Sequence, residues 1–315
     1  MNASVTALNR EVERRPLGNS DLEITPVGVG TAPIGSSPGV WSVNWGTQDE
    51  RDSIRAIHAA VGAGVNWIDT APFYGWGRAE EIVGRALRGR DDVLVFTKCG
   101  TMRAADGDDY MDLTPAAVRA DVEGSLRRLG VARIDLLQIH DRDPSVPVEE
   151  TWGAVLELVA AGKVRHGGIS NHRADEIERA LAVGPVAALQ CQYSLLARAA
   201  EAEILPLAQA RGLGVVVWAP LASGFLTDGF SVESLDDGDF RRTHPFAQLE
   251  LEGLRAALHG AGGSAARSAL AWVLSHPAVT GAIVGVRDER EGAELAHCAG
   301  MRLSPDERRA LAAYV

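Results

Sequence analysis

Short apolar runs alternate with stretches of helical periodicity along most of this chain. The runs predict eight strands, the first ending near Gly30 and the others at positions 65–69, 93–98, 134–140, 164–170, 187–192, 214–218 and 282–285. Between the strands, apolar residues recur every three or four positions, as at Ile54, Ile57 and Val61. This spacing predicts helices at positions 48–61, 115–129, 148–161, 173–183, 201–210 and 264–275.

Strand followed by helix, repeated eight times, predicts an α/β chain that closes into a (β/α)₈ TIM barrel. An open doubly wound sheet is the alternative, because sequence alone determines topology weakly. Asn19 and Ser20 lie between two short alternating runs and predict an N-terminal β-hairpin. After the seventh strand, a connection from about Leu221 to Gln248 predicts a long loop of the kind used as a lid or binding loop.

The domain organisation predicted from composition is simple. Polar residues 1–15 are expected to form a flexible N-terminal segment, and residues 16–315 a single barrel domain, because no compositional shift marks a second domain. The N-terminus lacks the basic start and apolar core of a signal peptide, and no apolar run approaches the roughly 20 residues of a membrane helix. A cytoplasmic protein without a membrane partner is therefore expected.

The net charge of −11 and the absence of a Lys/Arg cluster argue against a nucleic-acid partner. Three cysteines lie far apart and form no CxxC pair, so neither a disulfide framework nor a zinc ribbon is indicated. Reduced thiols fit a cytoplasmic location. The sequence carries no signal for an oligomeric state.

Several familiar motifs begin in this chain and then break. GVGTAP starts like a dinucleotide fingerprint, but its proline stands where the third glycine belongs. GISNH places His172 where a nucleophile elbow requires glycine. His140, Asp141 and Asp143 could ligate a metal, but their spacing matches no known metal motif, and a solvated loop explains both aspartates. We therefore expect no metal.

Four ionisable side chains lie at or just beyond the ends of three predicted strands. Asp69, Lys98 and His140 each close an apolar run, and Tyr74 follows Asp69 by five residues. Each has a structural alternative: a helix cap, an extended surface lysine, a core histidine or a rim aromatic. In a parallel barrel, however, all strand C-termini point to the face where active sites lie. Their common position favours catalysis.

The chain resembles the aldo-keto reductases from Pro16 to about Pro305. The segments that carry the resemblance are VGVGT, NWIDTAPFYGWGRAEE, VLVFTK, RIDLLQIHD, AGKVRHGGISNH, ALQCQYSLLAR, VVVWAPLASGFLT and AIVGVR. Within the family, IDTAPFYG, EEIVGRAL and an EILP segment resemble the bacterial general-aldehyde type, and the WAPLASG loop resembles potassium-channel β-subunits. The resemblance implies reversible, NADPH-dependent reduction of aldehydes or ketones, with a small carbonyl compound as substrate.

The roles that the resemblance implies for the four ionisable residues are chemically consistent. A phenol has a pKa near 10, which is high for an acid at neutral pH. Lys98 is expected to lower the pKa of Tyr74 so that Tyr74 serves as general acid in reduction. Asp69 would orient Lys98 through an ion pair, and His140 would bind the substrate oxygen.

The resemblance also implies a set of cofactor-binding residues: Gly30, Thr31, Asp69, Ser170, Asn171, Gln190, Trp218, Leu221, Ser223, Gly285, Arg287 and Glu291. Within this set, Ser170, Asn171 and Gln190 would bind the nicotinamide carboxamide, and Trp218 would stack on the nicotinamide ring. Leu221 and its neighbours match the pyrophosphate loop.

Arg287 matches the region near the adenosine 2′-phosphate and favours NADP(H) by its charge. Two residues depart from the family pattern there. Glu291 stands where glutamine or arginine is usual and could repel a phosphate, and Leu295 stands where an adenine-binding asparagine is usual. NAD(H) therefore stays possible.

Four aromatic residues could form the wall of a substrate pocket. Trp41 and Trp45 lie on the first βα loop, and Phe73 and Trp76 lie near Tyr74. An apolar pocket of this kind suits aromatic or medium-chain carbonyls, although either tryptophan could instead pack its loop onto the rim.

Three other functions stay open at this stage. One is an NADP(H)-binding regulatory or interaction subunit with little turnover. Another is an NAD-dependent sugar or alcohol dehydrogenase. The third is a Schiff-base aldolase that uses Lys98 as nucleophile.

Overall fold

A computed structural model describes residues 12–36, 43–298 and 300–314 of the chain. In chain order, its strands are β1 (Arg15–Pro16), β2 (Glu23–Ile24), β3 (Val27–Gly30), β4 (Trp67–Asp69), β5 (Leu94–Cys99), β6 (Thr101–Arg103), β7 (Asp109–Met111), β8 (Ile134–Ile139), β9 (Val164–Ser170), β10 (Ala188–Gln192), β11 (Gly214–Trp218) and β12 (Gly281–Gly285).

The helices lie mainly between the barrel strands. They are α1 (Ala32–Gly35), α2 (Glu50–Gly62), α3 (Arg78–Ala86), α4 (Pro115–Leu129), α5 (Val148–Ala160), α6 (Ala174–Val183), α7 (Ile204–Arg211), α8 (Glu252–Gly262), α9 (Ala265–Leu274), α10 (Glu289–Cys298) and α11 (Pro305–Ala312). Of the helices in the described ranges, none is long and apolar enough to cross a membrane.

Eight parallel strands close the barrel in the order β3-β4-β5-β8-β9-β10-β11-β12. The last strand pairs with the first, with Ala282 opposite Val27, so the sheet has no open edge. The predicted barrel is therefore confirmed, and the doubly wound alternative is wrong. Each predicted strand is present, with ends that differ by only a few residues.

Local signals explain where the helices begin and end. Asp49 accepts hydrogen bonds from the backbone N–H groups of the first turn of α2, at 2.8 and 3.1 Å. Thr114 caps α4 in the same way, and Gly130 ends that helix in the left-handed conformation, with φ of 69°. These residues are local, which is why the sequence predicted both helices correctly.

The predicted N-terminal hairpin is confirmed: β1 and β2 pair antiparallel, with Arg15 opposite Ile24. Its apolar side chains Leu17 and Leu22 pack with Trp67 inside the N-terminal end of the barrel. Trp67 is fully buried and donates its indole N–H to Thr25 O at 2.9 Å. Full burial of a large apolar side chain stabilises by about 1.5–3 kcal/mol. The hairpin therefore closes the end of the barrel away from the catalytic candidates.

Two loop features lie at the opposite end. The long loop after β11 is confirmed, and its regular structure consists of four short 3₁₀ turns: Ala222–Gly224, Val232–Ser234, Phe240–Thr243 and Pro245–Gln248. The hairpin β6–β7, with Thr101 opposite Met111, was not predicted from the sequence. It follows β5 directly and is therefore next to Lys98.

The predicted flexible segment falls mostly outside the described residues, since the structure describes the chain from Val12 onward and places Arg15 in β1. The domain boundary at residue 16 stays a prediction.

Candidate active site

The ends of β4 and β5 bring Asp69, Lys98 and Tyr74 into direct contact. Asp69 and Lys98 form an ion pair and are each 1% exposed. The Lys98 ammonium also donates to the Tyr74 phenol oxygen at 3.1 Å and to Thr70 O at 3.0 Å. The ammonium thus has three oxygen partners, and the three side chains form one continuous hydrogen-bonded chain.

Two glutamines complete the surroundings of the Asp69 carboxylate. Gln138 and Gln190 donate to its second oxygen at 3.0 and 2.9 Å, and Gln190 also donates to Gln138 Oε1 at 2.9 Å. A buried ion pair is costly unless its remaining lone pairs have donors, so these amides stabilise the charged pair. Sequence reasoning missed Gln138. Its position two residues before His140 places both on one face of the strand, which is the signal that could have found it.

His140 lies beside the Tyr74 phenol. The ring centroids of Tyr74 and Phe73 are 5.8 and 5.7 Å from that of the imidazole, both in edge-on arrangements. The imidazole Nδ1 lies 3.3 Å from Thr101 Oγ1. Burial, together with the charge of Lys98, lowers the pKa of His140 well below its ordinary value. The imidazole is therefore neutral at physiological pH.

Two opposing effects determine the pKa of Tyr74. Burial raises the pKa of the phenol, while the Lys98 ammonium lowers it, and burial is the larger effect. The pKa of Tyr74 is therefore above its ordinary value, although Lys98 lowers it as expected. The sequence did not reveal the effect of burial, which is larger than that of Lys98.

Burial is the largest single effect and disfavours the Lys98 ammonium, but the interactions with Asp69 and Tyr74 together outweigh it and raise the pKa of Lys98. Lys98 is therefore protonated at neutral pH. A Schiff-base nucleophile must be a free amine, so this environment disfavours the aldolase alternative.

In the part of the chain that the structure describes, five residues other than glycine adopt the left-handed conformation: Trp76, Asn171, Ala219, Ala222 and Ser223, with φ between 49° and 58°. All of them follow the C-terminal ends of barrel strands. Such conformations cost of order 1 kcal/mol or more each and cluster at ligand sites. Their distribution at the C-terminal ends of β4, β9 and β11 favours this end of the barrel as a ligand site.

The end of β9 contains a buried polar atom without a hydrogen-bond partner among the described residues. Ser170 Oγ is buried and, within the part of the chain that the structure describes, has no hydrogen-bond partner. Asn171 accepts from the Trp218 indole N–H at 3.0 Å and donates to His140 O at 3.1 Å. A carboxamide provides both donor and acceptor groups, so the unpartnered Ser170 hydroxyl is compatible with the expected cofactor.

Thr31 and Gly30 form the floor between β3 and β4. The Thr31 hydroxyl and backbone N–H both donate to Asp69 O, at 3.0 and 3.1 Å. A side chain at Gly30 would come within 2.8 Å of Ile283, so only glycine fits against β12.

Arg287, which follows β12, contacts the first βα loop. Its guanidinium donates to Gln48 Oε1 at 3.2 Å and to Thr47 O at 3.4 Å, and Gln48 donates to Arg287 O at 2.6 Å. Glu291 accepts from the backbone N–H of Arg287 at 2.8 Å. The carboxylate that the sequence placed near a phosphate is thus directed at a main-chain amide. Gly285 lies two residues before Arg287, at the end of β12.

The long loop after β11 packs against the first βα loop. Arg241 forms a buried ion pair with Asp239 at 2.6 Å, lies 5.0 Å from the centroid of the Trp45 ring and donates to Ser223 O at 3.5 Å. Trp45 also contacts Phe240 edge-on, with centroids 4.8 Å apart. Trp45 therefore packs between the two loops. We call this contact between residues 44–48 and 236–241 the loop bridge.

Of the four predicted pocket aromatics, Phe73 and Trp76 contact each other, with ring centroids 5.3 Å apart, and Phe73 borders His140. Trp41 lies outside the described residues. Leu221, at the start of the loop after β11, is partly buried against the core.

The carboxylates near His140 stabilise their own loop. Asp141 accepts from Arg142 N at 2.7 Å, and Asp143 accepts from Leu113 N at 3.1 Å and Ser145 N at 2.9 Å. Across residues 12–36, 43–298 and 300–314, no group of three or more His, Cys, Asp or Glu side chains could hold a metal ion.

Comparison with known proteins agrees with this geometry. The model of the Aldo/keto reductase family matches residues 27–314. Aldo-keto reductase YhdN of Bacillus subtilis (strain 168) is 32% identical over 313 residues, which cover 95% of this chain and 92% of the relative.

Two solved structures are similar as well. The glycerol dehydrogenase AKR11B4 from Gluconobacter oxydans is 32% identical, with a TM-score of 0.84 over 95% of this chain and 93% of that one. The aldo-keto reductase AKR11C1 from Bacillus halodurans, in its holo form, is 28% identical, with a TM-score of 0.79 over 95% of each chain.

A barrel whose strand ends carry a buried carboxylate, ammonium and phenol beside a neutral imidazole is the scaffold of an oxidoreductase. The chain belongs to the aldo/keto reductase family. Members of this family generally bind nicotinamide cofactors and act on small molecules.

Proposed function

We propose that the protein is an NADP(H)-dependent aldo-keto reductase that reduces aldehydes or ketones to alcohols, reversibly, with Tyr74 as general acid. The observation that supports this most is the buried chain of Asp69, Lys98 and Tyr74, with the ammonium 3.1 Å from the phenol oxygen. The cofactor, when bound, supplies a hydride to the carbonyl carbon.

The proton that the carbonyl oxygen requires comes from the protein's own residues. As the carbonyl oxygen gains negative charge, the Tyr74 O–H donates its proton to it, and the Lys98 ammonium stabilises the phenolate that forms. Asp69, with its two glutamine donors, keeps Lys98 protonated and in place. Neutral His140 donates a hydrogen bond to the substrate oxygen and orients it. In the oxidative direction, the Tyr74 phenolate is the base.

The cofactor would lie along the C-terminal ends of β4, β9 and β11, where the residues in left-handed conformations are found. Ser170, Asn171 and Gln190 would bind the carboxamide, Trp218 would stack on the nicotinamide, and Ser223 and its neighbours would contact the pyrophosphate. The unpartnered Ser170 hydroxyl supports this placement. The remaining residues of the proposed cofactor site are Gly30, Thr31, Asp69, Leu221, Gly285, Arg287 and Glu291.

Arg287 supports NADP(H) over NAD(H). A guanidinium can grip a 2′-phosphate with two charge-assisted hydrogen bonds. Glu291 accepts a hydrogen bond from the backbone N–H of Arg287, and this donor partly offsets the negative charge that could repel a phosphate. Arg287 must, however, exchange its contacts with Gln48 and Thr47 for the phosphate, so the preference is expected to be modest.

The decisive experiment measures NADPH oxidation with 4-nitrobenzaldehyde, beside fluorescence titrations of NADPH and NADH. We expect turnover and tighter binding of NADPH. Tight NADPH binding without turnover would instead identify a regulatory or interaction subunit. Borohydride trapping of a carbonyl substrate on Lys98, without any nicotinamide requirement, would identify an aldolase.

A second candidate is oxidation of a sugar or polyol with NAD⁺, which the similarity to a glycerol dehydrogenase favours. The aromatic wall of Phe73 and Trp76 favours apolar carbonyls instead. Comparing kcat/KM for glycerol with NAD⁺ and NADP⁺ against a panel of aromatic and aliphatic aldehydes separates the two.

We also infer a cytoplasmic protein with a flexible segment at residues 1–15 before a single domain at 16–315, and without nucleic-acid or membrane partners. All three cysteines are buried and unpaired, which suits a reducing compartment. Limited proteolysis that leaves residues 16–315 intact and active would support the boundary.

A further inference from the structure

Thr101 is the hydrogen-bond partner of the catalytic candidate His140. It begins β6, is 9% exposed, and its hydroxyl oxygen lies 3.3 Å from His140 Nδ1. Within residues 12–36, 43–298 and 300–314, the structure gives neither ring nitrogen of His140 another hydrogen-bond partner. The state of this imidazole therefore depends on one hydroxyl.

A neutral imidazole carries its proton on one nitrogen and a lone pair on the other. The Thr101 hydroxyl can donate to Nδ1 or accept from it. Its other neighbour is the thioether sulfur of Met111, at 3.6 Å, and a thioether is a weak acceptor. An imidazole lone pair accepts more strongly, so the hydroxyl proton is directed at Nδ1 and the ring proton lies on Nε2.

The orientation of the ring supports this assignment. Phe73 and Tyr74 contact the imidazole edge-on, with interplanar angles of 73° and 85°, and limit its rotation. His140 Nδ1 faces β6, so Nε2 is on the opposite side of the ring, away from Thr101. An Nε2–H is the donor that a carbonyl oxygen requires.

We propose that Thr101 is a positioning residue that holds His140 in the Nε2–H tautomer, ready to donate to the substrate oxygen. The role toward substrate rests on the proposed function, whereas the tautomer does not. Because Thr101 pairs with Met111 across β6 and β7, the hairpin that sequence reasoning missed is also the element that presents this hydroxyl.

The test is ¹⁵N NMR of the full-length protein labelled at its eight histidines. His140→Asn identifies the His140 signals. We expect a protonated Nε2 and an unprotonated Nδ1 in the wild-type protein. A wild-type spectrum with the proton on Nδ1 would overturn the proposal, whatever the activity. This measurement needs no substitution at position 101.

Two substitutions sharpen the result. Thr101→Val keeps the shape and removes the hydroxyl, and it should shift the tautomer toward Nδ1–H. Thr101→Ser should restore the wild-type pattern. Thr151→Val is the control, since its hydroxyl is also buried, at 0% exposure against 9% for Thr101, but donates to Leu113 O at 2.9 Å rather than to His140. An unchanged tautomer in Thr101→Val would count against the assignment.

Steady-state kinetics of the same variants test the role of Thr101 toward the substrate. Thr101→Val should lower kcat/KM for carbonyl reduction by roughly two- to tenfold, as expected for one lost hydrogen bond, with NADPH affinity unchanged and Thr101→Ser near wild type. Wild-type kcat/KM in Thr101→Val would contradict the role toward substrate. If the wild-type protein shows no turnover at all, the proposed function fails while the NMR result still decides the tautomer.

Discussion

Asp69 and Lys98 lie inside the barrel at 1% exposure, whereas Arg287 lies on a loop and is only partly buried. At the catalytic end, four barrel strands contribute the interacting groups, and parallel pairing on both sides fixes each strand. At the end proposed to bind the adenosine, Arg287 contacts Gln48 and Thr47, which belong to another loop. Loops tolerate sequence change better than barrel strands do. We therefore expect the barrel strands to determine the proposed chemistry and the loops to determine the choice of cofactor.

The largest effect is expected at the catalytic end, from Tyr74→Phe. General acid catalysis is typically worth about 10²–10⁴-fold, so kcat should fall by that range while NADPH affinity stays nearly unchanged. Steady-state kinetics and a fluorescence titration measure the two quantities. A variant with near wild-type kcat would show that Tyr74 is not the acid.

Lys98→Met should also impair the catalytic end, because it removes the positive charge beside the Tyr74 phenol. Lys98 lowers the pKa of Tyr74 against the effect of burial, so its removal should raise that pKa further. Reduction requires the protonated phenol, so the fall in rate at high pH should move to higher pH. Oxidation requires the phenolate and should be slower at neutral pH. An unchanged pH–rate profile would argue against the Tyr74–Lys98 pair.

The same substitution leaves the Asp69 carboxylate buried without its cation. Breaking a buried pair in this way costs about 3–5 kcal/mol in the free energy of unfolding. Asp69→Asn combined with Lys98→Met should cost less than the sum of the single changes. Urea denaturation of the three variants measures this, and strict additivity would mean that the two charges do not interact.

Gln138→Leu should have a smaller effect at the catalytic end. It removes one N–H donor to Asp69 and leaves Gln190 with one acceptor fewer, which should cost about 1–3 kcal/mol of stability and lower kcat. Gln209→Leu, on the exposed face of α7, is the control and should change neither. Wild-type stability and kcat in Gln138→Leu would show that Asp69 does not need this amide.

The smallest effect is expected at the adenosine end. Arg287→Ala should weaken NADPH binding by up to about 1.5–3 kcal/mol, less the value of the contacts that Arg287 gives up, and should leave NADH binding little changed. Arg290→Ala, one turn along the same region and 71% exposed, is the matched control. Titrations of both cofactors measure the difference. Equal losses for NADPH and NADH would exclude a phosphate contact.

The sequence was informative wherever a signal is local or periodic. Apolar runs predicted the strands, and the spacing of apolar residues such as Ile54, Ile57 and Val61 predicted the helices. The convergence of Asp69, Lys98 and His140 also followed, because parallel strand ends meet at one face. The partners that complete the site did not follow. Gln138 lies within an apolar run, and nothing local shows that its amide reaches Asp69.

The sequence by itself determined the barrel, the family and the positions of the ionisable residues, because hydrophobic periodicity and strand ends are properties of short segments. Only the tertiary structure decided the net direction of the Tyr74 pKa, the contact of Glu291 with a backbone amide, the packing of Trp45 in the loop bridge and the approach of Thr101 to His140. Each of these depends on burial or on distances between segments far apart in the chain. Desolvation and through-space contacts arise only when those segments are brought together.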